Sequence, residues 1–123
     1  MTIDIRRCVQ GDEAALALVG QATFLETYAG ALPAGDIISH CRVQHGEALY
    51  ADWLAKPGYR LWVAEMEEGR APVGYAALTP PDLPVATGEK DVELKRIYLL
   101  HRFHGTGLGA RLMETALDAA AAA

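Results

Sequence analysis

The chain has 123 residues, 51% of them hydrophobic and 22% charged, with a formal net charge of −5 at pH 7. That length suits one domain, residues 1 to 123, around a single core. The acidic balance excludes non-specific nucleic-acid binding, which needs a basic footprint, and no run approaches the roughly 18 apolar residues of a membrane span.

The opening "MTIDIRRC" contains no signal-peptide core, and Cys8 and Cys41 form no CxxC pair. A cytoplasmic protein with reduced, packed thiols is expected. "TIDIRRC" alternates Ile3 and Ile5 with Asp4 and Arg6, a first strand. Asp12 then caps a helix with Ala15, Leu18, Val19, Ala22 and Leu25 at helical spacing, ending near Tyr28 to Gly30. Pro33 starts a second helical stretch through "AGDIISHCRVQ"; "GEALYADWLAK" continues or follows it, and Pro57-Gly58 ends it. "YRLWVAEME" and "PVGYAALTP" read as strands joined by an "EEGR" hairpin turn, with Trp62, like Trp53 before it, a core residue. Residues 80 to 90, "PPDLPVATGEK", are a loop, followed by a fourth strand and a final helix. The order β-α-α-β-β-β-α gives an α+β fold, three layers around a mixed, mainly antiparallel sheet.

In the fourth strand Val92 and Leu94 share one parity, Ile97 and Leu99 the other. A regular strand cannot bury both pairs on one face. One surplus residue near Lys95-Arg96 restores the phase and predicts a β-bulge; burial on both faces is the alternative.

Between this strand and the last helix stands "HRFHGTGLGA", with Gly105, Gly107 and Gly109 in five residues. A helix N-terminus offers unpaired N–H groups and partial positive charge, and glycines let a ligand approach the backbone. Gly105, Thr106, Gly107, Leu108 and Gly109 are therefore candidates for a nest around a pyrophosphate. A plain strand-to-helix turn explains one glycine easily and three poorly. A P-loop would need Lys-Ser/Thr where Ala110-Arg111 stands. A dinucleotide fingerprint would need an acidic residue about 20 positions on, and too little chain remains.

The stretch "ELKRIYLLHRFHGTGLGARLMETAL" resembles the acetyl-CoA-binding core (about residues 91 to 118) of the GNAT superfamily of N-acetyltransferases. Its Arg/Gln-x-x-Gly-x-Gly/Ala signature stands here as Arg102-Phe103-His104-Gly105-Thr106-Gly107. "FLETYAGALPAGDI", "YRLWVAE" and "ELKRIYLL" are further similar to the small-amine, spermine/spermidine acetyltransferase-like branch. The resemblance implies acetyl-CoA as cosubstrate, its pyrophosphate on the backbone from His104 to Ala110 with Arg102 and His104 contributing side chains. It implies pantetheine pairing with Ile97 and Leu99, and the Leu99 N–H polarising the thioester carbonyl. The acceptor is then a primary amine, protonated at pH 7; freeing it costs about 4.6 kcal/mol, so a base is expected. Glu93 is the candidate, against its alternative as a surface carboxylate paired with Lys95 or Lys90, and Asp91 is a weaker substitute. Phe24, Glu26, Tyr28 and Tyr50 fall where the family shapes its acceptor site, and aromatics and carboxylates suit an ammonium group; core or rim positions are their alternative. His40, Cys41 and His45 lack a fourth metal partner, so no metal is expected.

Relative to the family the chain is expected to be C-terminally incomplete, lacking the fifth strand and the helix that carries the thiolate-protonating tyrosine. The closing alanines are either a helical end or a truncation scar. An exposed fourth-strand edge would favour a homodimer. A non-catalytic CoA-binding or protein-interaction module of the same fold is the second functional expectation.

Overall fold

The computed structural model describes residues 2–81 and 92–122. Strand β1 (Ile3–Arg7) leads through Asp12 into helix α1 (Glu13–Tyr28), followed by α2 (Ala34–Gln44) and α3 (Glu47–Ala55). Then come β2 (Arg60–Met66), β3 (Pro72–Thr79), β4 (Glu93–Leu99), a 3₁₀ turn at His101–Phe103 and α4 (Leu108–Ala121). "GEALYADWLAK" thus follows the second helical stretch as a helix of its own, separated by His45 and Gly46. The strands lie in sequence order β1-β2-β3-β4, every described pairing antiparallel.

Successive strand residues point to opposite faces, so each central strand feeds two cores. Leu61, Val63, Tyr75 and Ala77 pack with Leu16, Val19, Tyr50 and Trp53 on the α1/α3 side. Trp62, Ala64, Ala76 and Leu78 pack with Leu108, Leu112 and Ala116 of α4 on the other. This is the expected three-layer arrangement, and both tryptophans are core residues.

The bulge in β4 is present. Arg96 stands opposite Ala77 and Leu94 opposite Leu78, leaving Lys95 as the surplus residue. Leu94, Ile97 and Leu99 consequently all pack on the α4 side despite their mixed parity. Arg96 reaches the opposite face, where its Nη1 meets the hydroxyls of Tyr50 and Tyr75. The parity conflict in the sequence is resolved by one residue.

Candidate active site

The glycine turn is built from two kinds of glycine. Gly105 and Gly107 have φ of 79° and 87°, left-handed values that side-chain-bearing residues rarely adopt, and added Cβ atoms there would meet nothing within 4 Å. Gly109 is different: a Cβ there would come 3.3 Å from Leu99 Cδ1, so this glycine seats α4 against β4. The first helical bond of α4 runs from Arg111 N–H to the Gly107 carbonyl. The N–H groups of Leu108, Gly109 and Ala110 precede it and have no intrahelical acceptor. Thr106 Oγ1 donates to the Phe103 carbonyl at 2.6 Å and lies 3.4 Å from Leu108 N. Residues 104 to 107 are exposed, so the turn is open to a ligand.

The direction of the β4 backbone follows from one bond. Leu100 N–H donates to the Val73 carbonyl at 2.9 Å. In an antiparallel pair, hydrogen-bonded and non-bonded positions alternate. Tyr98 therefore bonds toward β3, while Leu99 and Ile97 direct N–H and C=O to the outer edge, where the described sheet has no further strand. The His104 imidazole Nε2 lies 3.3 Å from the Leu99 carbonyl on this side. Ile97, Leu99 and the turn thus form one continuous line of backbone.

On the α1 side of β4 lies a cavity of about 280 Å³, lined by Thr23, Phe24, Thr27, Tyr28, His40, His45, Arg96 and Tyr98. Phe24 stacks on His40 with ring centroids 4.1 Å apart. Behind the cavity Tyr50 and Tyr75, both fully buried, share a 2.7 Å hydrogen bond. Arg96 Nη1 donates to Tyr50 Oη at 3.0 Å and to the Gln44 carbonyl at 2.8 Å, and its guanidinium lies 4.6 Å over the Trp53 ring. His45 Nδ1 is 2.9 Å from Tyr50 Oη and 3.3 Å from Arg96 Nη1. An arginine only donates, so Nδ1 is the acceptor and Nε2 carries the hydrogen. Burial above all, then electrostatic influence from Arg96 and, least, His40, pushes His45 down to about 4, so it is neutral at pH 7. Burial above all raises both tyrosines, which stay protonated. Gly20 lets α1 lie against this group, since a Cβ there would sit 2.6 Å from Tyr50 Oη.

Phe24 and Tyr28 are brought together at the cavity; Glu26 is not among its lining. The Glu26 carboxylate instead accepts from the His101 N–H at 2.9 Å, tying α1 to the turn before α4. Glu93 pairs with Thr79 on β3, and its carboxylate lies 4.0 Å from Lys95 Nζ. The Arg102 guanidinium lies 4.9 Å over the Phe103 ring. Arg96, Tyr98, Thr23 and Thr27 were not foreseen as lining a site; a cation beside the expected bulge was the available signal. His40 and His45 share the cavity, while Cys41 is buried elsewhere, and among the described residues no group of three or more potential metal ligands gathers. Among those residues no helix is long and apolar enough to cross a membrane.

The profile of the Acetyltransferase (GNAT) family matches residues 22–123. Uncharacterised N-acetyltransferases of Mycobacterium tuberculosis and Mycobacterium bovis are 36% identical over 106 residues, covering 86% of this chain and 63% of theirs. The chain therefore spans less than two thirds of the length of these curated relatives. Among solved structures, the PaiA N-acetyltransferase of Thermoplasma acidophilum, crystallised with coenzyme A, superposes with a TM-score of 0.79 at 21% identity, over 98% of this chain and 72% of that one. A GCN5-related N-acetyltransferase of Rhodopseudomonas palustris gives 0.69 at 20% identity, over 99% and 68%. A bulged β4 running into a glycine turn fits this match, and the match over residues 22–123 shows that the chain belongs to the Acetyltransferase (GNAT) family.

Proposed function

We propose that the protein containing this chain transfers an acetyl group from acetyl-CoA to a primary amine. The observation that carries this is the continuous line of outward backbone from Ile97 and Leu99 to the exposed turn at Gly105 and Gly107. An extended pantetheine can pair along that edge like an added strand, ending with its pyrophosphate at the start of α4. Arg102 and His104 flank the phosphate position, and Gly105, Thr106, Gly107, Leu108, Gly109 and Ala110 supply its backbone surroundings.

The thioester supplies an activated acyl carbon. The amine nitrogen attacks it, the C–N bond forms, and the C–S bond breaks with its electron pair leaving on sulfur, which takes up a proton. Leu99 N–H donates to the carbonyl oxygen as charge builds there, a contribution typically of about 3–4 kcal/mol. Strand alternation puts Glu93 on the face opposite Leu94, the face that Arg96 shares with the cavity. From there Glu93 accepts the ammonium proton through water. A second copy pairing along the β4 edge would occupy the pantetheine path, so dimerisation at that edge and acetyl transfer compete.

Calorimetry with coenzyme A and a thiol-release assay over a panel of amines test the reading. Binding and turnover with at least one amine are expected. Binding without turnover on any amine would leave the non-catalytic module, and no binding at all would overturn both.

A further inference from the structure

The cavity presents a cation in an acidic protein, and among the described residues no carboxylate pairs with it. Arg96 forms no ion pair with any described residue. Its Nη1 hydrogens are shared among Tyr50, Tyr75, His45 and the Gln44 carbonyl, all neutral acceptors. Among the described residues its Nη2 reaches only the exposed Gln44 side chain, at 3.5 Å. A partly buried guanidinium held this way keeps donors and an uncompensated charge for a ligand. Among the described residues, the rest of the wall is Phe24, Tyr28, Tyr98, His40 and a neutral His45, with two threonines and no acidic side chain. A polyamine would meet a like charge at Arg96.

We infer that the acceptor amine also carries a carboxylate on an aromatic or apolar body, and that Arg96 is the specificity-determining residue that reads it. This rests on the acetyl-transfer reading above. The cavity volume, at the lower edge of the roughly 300–1,000 Å³ typical of ligand pockets, limits the occupant to one small molecule or residue. Arg96 lies three residues before Leu99, about 10 Å along a strand, so the spacing of carboxylate and amine matters as well.

The test uses the intact protein and matched acceptors: 4-(aminomethyl)benzoate against benzylamine, tyrosine against tyramine, and spermidine. In at least one pair the carboxylated amine should show a kcat/KM about tenfold or more above its partner, mostly through KM. Trp53 lies against Arg96, so its fluorescence should titrate with 4-methylbenzoate in the absence of any turnover. Arg96→Gln should bring the favoured pair close to parity and abolish that titration, with circular dichroism reporting its fold. If Arg96→Gln does not fold, the wild-type pairs and titration decide alone. Benzylamine, tyramine or spermidine equal to or better than the carboxylated amines would overturn the inference and leave acetyl transfer standing. Coenzyme binding with no turnover on any amine would overturn both.

Discussion

The two ends of the site are made from different material. The proposed coenzyme end is backbone: two left-handed glycines, the first turn of α4 and the outward groups of Ile97 and Leu99. The proposed acceptor end is side chains, drawn from α1, α2, the loop at His45 and β4. Backbone has the same chemistry at every residue, so such a surface serves one constant ligand. A side-chain wall can be changed one residue at a time, and that is where relatives with a common coenzyme can diverge in acceptor. Glu93, on the strand between them, belongs to neither end.

Changes that strike one end and spare the other test this division. The largest effect is expected at the middle: Glu93→Gln should lower kcat by about 100-fold or more, with coenzyme affinity unchanged, because it removes the proposed general base and touches neither end. Steady-state kinetics beside calorimetry would show this, and an unchanged kcat would remove Glu93 from the chemistry.

Acid should attack the acceptor end first. His45 is held near 4 in the folded protein against an ordinary value of 6.5, so the unfolded chain binds the extra proton between those limits. Stability is therefore full above about pH 6.5 and declines as pH falls toward 4, by at most about 3 kcal/mol. Thermal unfolding across this range should show the decline, shallower in His45→Gln.

Gly107→Val should act on the coenzyme end alone. Its φ of 87° costs a side-chain-bearing residue about 1–2 kcal/mol, and relaxation would misdirect the N–H groups at the start of α4. Coenzyme A affinity should fall about tenfold or more by calorimetry while the Trp53 titration persists. The smallest effect is expected for Tyr75→Phe, which removes the hydroxyl bonded to Tyr50 and near Arg96. Unfolding experiments should show a loss of about 1 kcal/mol, with coenzyme binding intact.

The same division explains what could be read from the residues alone. The glycine turn is local, so spacing within ten residues announced it. The bulge was legible because Leu94 and Ile97 cannot share a face in a regular strand. The cavity was only half legible: Phe24 and Tyr28 lie one turn apart on α1, but Arg96 joins them only after the sheet forms, from a strand far along the chain. Following the bulge to its end would have found it, since phasing Ile97 toward α4 sends Arg96 the other way. Glu26 shows the opposite failure. Its helix position suited an ammonium partner, yet the turn before α4 brought a backbone N–H within its reach, which no local pattern encodes.

Lys95 has one more consequence. Because Leu94 and Arg96 already face consecutive residues of β3, excising Lys95 would leave every other side chain of the strand on its present side. Such a shortened chain should keep its hydrophobic interior while losing the surplus residue and its ion pair with Glu93, allowing the strand's local register to be varied while the cavity's side chains stay the same.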